Sequence, residues 1–262
     1  MIPTRSALKK ALKKQYITVN DKIASTATYI KGGESICLSF PEEEGPKKKL
    51  LLSLNVLFED EYLAAIHKPA GILVSGNRHK TVANALPRTL QRSPLPDAST
   101  PQPVHRLDLA TTGILLIGKT SSAIRALNKL FADKKVDKIY YAVTIGEMKE
   151  HGTINSKVDG KESLTNYSVE RSVGSERFGK LDLVKVQPRT GRRHQIRKHF
   201  ADIGHPILGD KEYGKAPLIL KGKGLYLHAH SLRFEHPFKK EELFLLADLP
   251  ERFDKIFSQI EF

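Results

Sequence analysis

The chain of 262 residues has one cysteine, two methionines and no tryptophan. One cysteine cannot form a disulfide within the chain, so a reducing compartment is favoured and the cytoplasm is the expected location. We predict that this residue, Cys37, is a small buried side chain in a strand. No apolar run approaches the roughly 18 residues of a membrane helix. The N-terminal lysines are not followed by the apolar segment of a secretory signal.

Cofactor and metal motifs are also missing. No glycine-rich nucleotide loop is present, so neither ATP nor NAD dependence has support. Six of the ten histidines lie between residues 194 and 236, but cysteines and carboxylates with metal-ligand spacing do not accompany them. We therefore predict no cofactor and no metal site, and we expect these histidines to be structural or to face a bound ligand.

Acidic residues are scarce beside basic ones: Asp and Glu number 29, Lys and Arg number 43, and the net charge is +14. A polyanionic partner explains this imbalance, because each neutralised phosphate releases condensed counterions. An anionic membrane surface is the rival partner, but no basic helix with a strong apolar face is visible. Nucleic acid is therefore the predicted partner, and a monomer is the default oligomeric state.

Composition divides the chain into three parts. The first contains a short basic helix, with Lys9 and Lys13 four residues apart on one face, followed by two strands. The second is charged, includes a Gly-Pro pair and is predicted to be a linker. In the third, strands outnumber helices without regular alternation, which indicates an α+β fold with a mixed, largely antiparallel sheet. The parts are residues 1–40, 41–53 and 54–262.

Local signals place several elements of the third part. Five prolines between residues 87 and 103 predict a loop. Thr120 or Ser121 is predicted to cap a helix. A second helix is predicted over residues 193–203, with Gly204 at its end.

A first candidate site is the segment His105-Arg106-Leu107-Asp108, which precedes a predicted buried strand at Ile114. A carboxylate in such a loop is held by a rigid element and faces the surface, which is how catalytic groups are often presented. Spacing alone also allows an ordinary turn aspartate.

A second candidate is the basic segment over residues 185–200, which has six Lys or Arg and no acidic residue. A turn that leads into a helix offers backbone N–H groups to an anion, and the arginines add charge. The alternative is a solvated basic face, although such faces usually mix both signs. The segment predicts phosphate binding, with Arg189, Arg192, Arg193 and His194 as the contacting residues.

The third candidate is a strand with two adjacent tyrosines, Tyr140 and Tyr141. Neighbouring strand residues point to opposite faces, so at most one of the two enters a given site. A core role is the ordinary alternative for a strand tyrosine.

Together these segments resemble the RluA-type family of pseudouridine synthases. The similarity covers roughly residues 54–250, with Thr112 where serine is usual and His67 where asparagine is common. Residues 4–40 resemble a small RNA-binding module found in front of many of these enzymes, without the first helix of that module. The segments that carry the resemblance to the synthases are His67–Gly71, His105–Gly113, Lys138–Ala142, Arg189–His199, His205–Asp210 and Leu227–Ala229 with His236-Pro237.

The resemblance implies an enzyme that isomerises uridine to pseudouridine in structured ribosomal or transfer RNA without a cofactor. It implies that Asp108 is the catalytic nucleophile and that Arg197 pairs with it. Tyr140 would stack beneath the uracil and remove a ribose proton, and Arg106 would fill the space left by the extruded nucleotide. Attack on the sugar, attack on the base and elimination remain open routes.

Two other functions are compatible with the composition. A non-catalytic RNA-binding or ribosome-assembly protein would explain the charge equally well, but binding alone has no use for a carboxylate among phosphates. A metal-dependent nuclease is the third hypothesis, and retained activity in EDTA would exclude it.

Overall fold

The computed structural model describes residues 5–39, 52–220, 222 and 224–258. The chain divides into two compact units between residues 49 and 50. The predicted linker over 41–53 lies almost entirely outside the described residues. Within the described ranges, no helix is long and apolar enough to cross a bilayer.

The N-terminal unit combines one helix with a small antiparallel sheet. Ala11, Ile17 and Ala24 form its core. Cys37 lies in a strand, as predicted, but its side chain is exposed. The prediction of burial was wrong because so small a unit buries only a few side chains on its sheet. The elements are α1 (Arg5–Lys13), β1 (Ile17–Val19), β2 (Lys22–Ile23) and β3 (Ile36–Leu38), with β1 in the centre.

The second unit is built on one sheet. Its strands are β4 (Asn55–Glu59), β5 (Leu63–Lys68), β6 (Ala98–Pro103), β7 (Thr112–Thr120), β8 (Asp137–Ile145), β9 (His151–Asn155), β10 (Leu164–Ser175), β11 (Gly179–Pro188), β12 (Leu227–Glu235) and β13 (Glu242–Leu246). The strand order is β4-β5-β7-β12-β8-β11-β10-β9, with β6 beside β7 and β13 beside β12. The pairing of β7 with β12 is parallel, and the other described pairings are antiparallel. This confirms the predicted α+β fold with a mixed, largely antiparallel sheet.

Helices flank this sheet: α2 (Val82–Thr89), α3 (Ser121–Ala132), α4 (Gln195–Asp202) and α5 (Glu251–Phe257), with a 3-10 turn at Ala216–Leu218. Thr120 caps α3 by accepting a hydrogen bond from the Ala123 N–H at 3.0 Å, as predicted. Helix α4 starts at Gln195 rather than at residue 193, because His194 has a left-handed backbone with φ of 56°.

The proline-rich segment over 87–103 is not one loop. Helix α2 continues through Pro87 to Thr89, and β6 pairs with β7. Proline cannot donate to a sheet ladder, but an edge position tolerates it. Strand β6 pairs only with β7 among the described strands, so it is an edge strand. Its prolines can therefore lie in a strand without interrupting a second ladder of hydrogen bonds.

The core anchors the segment that holds Asp108. All nine residues of β7 are buried, and side chains from α2 and α3 pack on residues of this strand. Helices α4 and α5 contribute Phe200 and Phe253 to a further cluster on β8, β11 and β12. A loop that leads into so rigid a strand holds its side chains in a defined position.

Candidate active site

A cleft of about 640 Å³ lies between the loop before β7, the end of α3, β8 and the segment from β11 into α4. It brings together eight of the ten residues predicted for the site: Arg106, Asp108, Tyr140, Arg189, Arg192, Arg193, His194 and Arg197. The other two, Lys9 and Lys13, are exposed on α1 of the N-terminal unit.

Asp108 and Arg197 lie side by side in this cleft. The guanidinium Nη1 is 3.5 Å from Asp108 Oδ2. The Asp108 side chain is 18% exposed and that of Arg197 is 9% exposed. The carboxylate is therefore accessible from the cleft, whereas the guanidinium is largely buried. The two residues are thus neighbours, as the resemblance implied.

The principal partner of Arg197 is an acidic residue that the sequence prediction missed. Asp210, which is buried, accepts hydrogen bonds from Nε at 2.7 Å and Nη2 at 2.8 Å. Glu212 accepts a third from Nη2 at 3.1 Å. Burial raises the pKa of Asp210, but hydrogen bonds and charge from Arg197 outweigh it and leave that pKa below its usual value. Such two-point contacts fix the plane of a guanidinium.

His194 approaches the other oxygen of Asp108. Its Nε2 lies 3.6 Å from Oδ1, and its Nδ1 lies 2.9 Å from the Tyr213 hydroxyl. That hydroxyl donates to Glu212 at 3.0 Å, so it is available to accept the Nδ1 proton. His194 and Arg197 therefore flank the carboxylate on its two oxygens.

Tyr140 lines the cleft, whereas Tyr141 faces the opposite side of the sheet and meets the His230 ring edge-on at 5.0 Å. This confirms the prediction that only one tyrosine enters the site. Burial raises the pKa of the Tyr140 hydroxyl, and the nearby Asp108 carboxylate raises it further. The hydroxyl is therefore protonated at neutral pH.

Lys68 holds the loop that carries Asp108 through hydrogen bonds, a role that the sequence analysis did not predict. Its side chain is fully buried, and its ammonium donates to the carbonyls of Pro69 at 3.0 Å, Leu109 at 3.2 Å and Thr111 at 2.8 Å. Burial lowers the pKa of Lys68 to about 8, against the opposing effect of the Asp108 charge. The lysine thus ties β5 to Leu109 and Thr111, which lie one and three residues after the aspartate.

The basic turn before α4 is organised by Gln195. Its Oε1 accepts from the Thr190 hydroxyl at 2.7 Å and from the Arg192 N–H at 3.0 Å. One backbone N–H of this turn, that of Arg192, is therefore occupied within the protein. The exposed side chains of Arg189, Arg192 and Arg193 bring positive charge to the cleft.

The clustered histidines have structural contacts. His228 lies 2.7 Å from the Thr112 hydroxyl through Nδ1 and 3.2 Å from the Ala247 carbonyl through Nε2. His230 meets the same carbonyl at 2.8 Å. The described part of the chain contains no group of three or more His, Cys, Asp or Glu side chains placed to hold a metal ion.

Comparison with known proteins identifies the fold and the reaction. The RNA pseudouridylate synthase family model matches residues 62–202. The chain belongs to this family. Its reaction is the isomerisation of uridine to pseudouridine in RNA, which excludes the hypothesis of a purely binding protein.

Individual relatives agree with this assignment. An uncharacterized RNA pseudouridine synthase of Aquifex aeolicus is 34% identical, over 98% of this chain and 90% of the relative. The ribosomal large subunit pseudouridine synthase C of Pasteurella multocida is 38% identical, over 80% of this chain and 68% of the relative. The solved structure of human RNA Pseudouridylate Synthase Domain Containing 4 has a TM-score of 0.61 and 26% identity, and the match covers 76% of this chain and 90% of that one.

Proposed function

We propose that this synthase isomerises uridine in structured ribosomal RNA, with Asp108 as the nucleophile. The observation that carries the proposal is the position of its carboxylate, 3.5 Å from a buried guanidinium in a cleft lined with arginines. A carboxylate surrounded by RNA phosphates needs a cation beside it to stay ionised. Arg197 supplies that cation.

The reaction requires little beyond positioning and one reactive carboxylate. The bond between N1 and C1′ breaks, the bond between C5 and C1′ forms, and the hydrogen of C5 is replaced by one on N1. No electron is gained or lost. A covalent intermediate with Asp108 would divide this exchange into two easier steps. Tyr140 lines the same cleft and would serve as the proton-transfer group and as a platform for the base.

RNA reaches the carboxylate only after the target nucleotide leaves its helix. Extrusion costs a few kcal/mol. Arg106 is exposed, lines the cleft and lies two residues before Asp108. It is therefore placed to occupy the vacated position in the RNA.

The RNA class is tested by deleting the gene and mapping pseudouridines by carbodiimide-dependent reverse-transcription stops. We expect a stop in ribosomal RNA to disappear and to return with the wild-type gene. A lost stop in transfer RNA alone would assign the enzyme to the other substrate class. An unchanged map in both would contradict the proposal.

The nucleophile is tested by Asp108→Asn, which removes the charge and keeps the shape. We expect no pseudouridine from the variant, either in the deletion strain or in vitro. RNA affinity should stay within about threefold of wild type, because the carboxylate acts in the reaction and contributes little to binding the RNA before it reacts. Pseudouridine at the wild-type rate would remove Asp108 from the mechanism.

The exposed lysines of α1, Lys9 and Lys13, form the second part of the proposed RNA contact. The double substitution to alanine should weaken RNA binding and reduce its salt dependence, without affecting the rate at saturating RNA. We further propose that the enzyme acts as a cytoplasmic monomer, which light scattering and cell fractionation would test.

A further inference from the structure

The cleft has a second basic region that the predicted site does not include. Lys138 and Lys134 line it together with Phe131 at the end of α3. Lys138 is half-buried in β8, on the same strand face as Tyr140. Lys134 is exposed, and it follows α3 with a left-handed backbone, φ 58°.

The two ammonium groups have no acidic partner at hydrogen-bond or ion-pair distance within the described part of the chain. The nearest candidate in sequence, Asp137, is engaged by Arg189, whose Nη1 lies 3.7 Å from its Oδ1. Burial lowers the pKa of Lys138; the Asp137 charge opposes this, and the charge of Lys134 lowers the pKa further. Lys138 loses part of its hydration and is repelled by Lys134, so its charge is unfavourable there unless an anion binds beside it.

The position relative to the reactive groups limits which anion fits. Lys138 is two residues from Tyr140 on an extended strand, a separation of about 7 Å. That distance is within the reach of the sugar and phosphate of one nucleotide whose base rests on the Tyr140 ring. A phosphodiester of the RNA backbone is therefore the ligand that the geometry favours.

We propose that Lys138 and Lys134 form a binding subsite for the RNA phosphate adjacent to the target uridine. This inference rests on the proposed function, since it assumes that the target base lies at Asp108 and Tyr140. It adds a phosphate contact that is separate from the arginines of the turn before α4.

The first test measures RNA binding in the Asp108→Asn background, so it needs no turnover. The probe is a fluorescein-labelled stem-loop RNA, and affinity is followed by anisotropy between 50 and 300 mM KCl. Loss of one phosphate contact should reduce the slope of log affinity against log salt by about 0.7 to 0.9. We expect a reduction of up to this size for Lys138→Gln and for Lys134→Gln, because the other lysine still faces the same phosphate. We expect Lys138→Arg to retain the wild-type slope.

Lys185→Gln is the matched control. Lys185 lies on the neighbouring strand β11, carries the same charge, and lines a different cavity with Tyr141. If Lys138→Gln and Lys134→Gln behave like Lys185→Gln, or if the probe does not bind, the subsite is disproved. Because Lys134 is exposed, its variant decides the question even if Lys138→Gln fails to fold.

The second test uses the substrate RNA found by pseudouridine mapping, with a single methylphosphonate placed on either side of the target uridine. At one of the two positions, the neutral linkage should weaken wild-type binding and have no further effect on Lys138→Gln. Additive losses at both positions would overturn the assignment to this phosphate. Failure of the proposed function would appear differently, as an absence of pseudouridine with the wild-type enzyme while the salt slopes still distinguish the lysines.

Discussion

Asp210 holds Arg197 more closely than Asp108 does. The guanidinium meets both oxygens of Asp210 at 2.7 and 2.8 Å, and its remaining nitrogen lies 3.5 Å from the catalytic candidate. The shorter contacts fix the guanidinium, and the longer one leaves Asp108 free to react. Asp210 is thus a positioning residue that acts through Arg197.

Asp210→Asn should reduce kcat by about 100-fold, the effect expected when a catalytic group is displaced by about 1 Å. KM should change little, since Asp210 is buried and out of reach of a ligand in the cleft. Removing one partner of a buried pair also costs about 3–5 kcal/mol of stability, so activity is measured per folded molecule. Glu212→Gln is the control, because the Glu212 side chain is 51% exposed and contacts the same guanidinium. Its loss of kcat should be smaller than that of Asp210→Asn, and equal losses of kcat would contradict the positioning role of Asp210.

Lys68→Met should loosen the Asp108 loop. The methionine fills the same space but cannot donate to the carbonyls of Pro69, Leu109 and Thr111. The bond to Thr111 is buried, so its loss leaves that acceptor unsatisfied at a cost of about 1–3 kcal/mol. We expect a lower melting temperature and a lower kcat in the remaining folded protein. Lys119→Met is a matched control. Lys119 is also buried, but its Nζ lies 2.6 Å from Glu59 and not at the Asp108 loop. It should destabilise the fold without reducing kcat, and equal kcat losses would refute the specific role of Lys68.

Arg106→Ala should slow the reaction on a folded hairpin much more than on a flexible loop. The arginine offsets part of the cost of extrusion, and about 2 kcal/mol of that cost corresponds to roughly 30-fold in kcat/KM. Comparison of the same uridine in a paired stem and in an open loop provides the measurement. Arg92→Ala removes an exposed arginine outside the cleft and should leave the ratio unchanged. Equal losses on both RNAs would exclude the proposed role of Arg106.

Elements with strong local signals were predictable from the sequence. The Thr120 cap of α3 and the apolar run of β7 needed no tertiary information, and Tyr140 and Tyr141 were separated by strand alternation alone. Helix α2 and strand β6 were missed because their prolines are normally loop signals. Only the packing around them shows that a short helix and an edge strand accommodate these prolines.

Site residues that lie in a recognisable sequence motif could be predicted. Residues that join the site only through tertiary contacts could not. Asp108 and Arg197 were paired through the family resemblance, although 89 positions separate them. Asp210 and Lys68 were missed because nothing local shows that a charged side chain is buried. Their roles follow from contacts to Arg197 and to the carbonyls after Asp108, which only the folded chain creates.

Two substitutions of Tyr140 should separate its ring from its hydroxyl. Tyr140→Phe keeps the aromatic platform, so RNA affinity should persist while turnover falls by about 10²- to 10⁴-fold, the range for a lost proton-transfer group. Tyr140→Leu should lose both affinity and turnover. Single-turnover rates and anisotropy measure the two effects. If Tyr140→Phe is as active as wild type, the ring alone explains the position of Tyr140.

His228 should make the stability of the second unit dependent on pH. Its ring is fully buried, and burial lowers its pKa to about 4 in the folded state, against about 6.5 in the unfolded chain. Above pH 6.5 neither state binds the proton. As the pH falls from 6.5 to 4 only the unfolded state does, so the free energy of unfolding should decrease by up to about 3 kcal/mol.

Urea denaturation at pH 8, 7, 6 and 5 measures this dependence. His228→Gln keeps a polar side chain near the Thr112 hydroxyl and the Ala247 carbonyl but does not titrate. The variant should be less stable than wild type at pH 8 and should lose less stability on acidification, by about 1.4 kcal/mol per pH unit for one proton. His151→Gln, at an exposed position, should keep the wild-type slope. Parallel curves for wild type and His228→Gln would show that another group controls the acid transition.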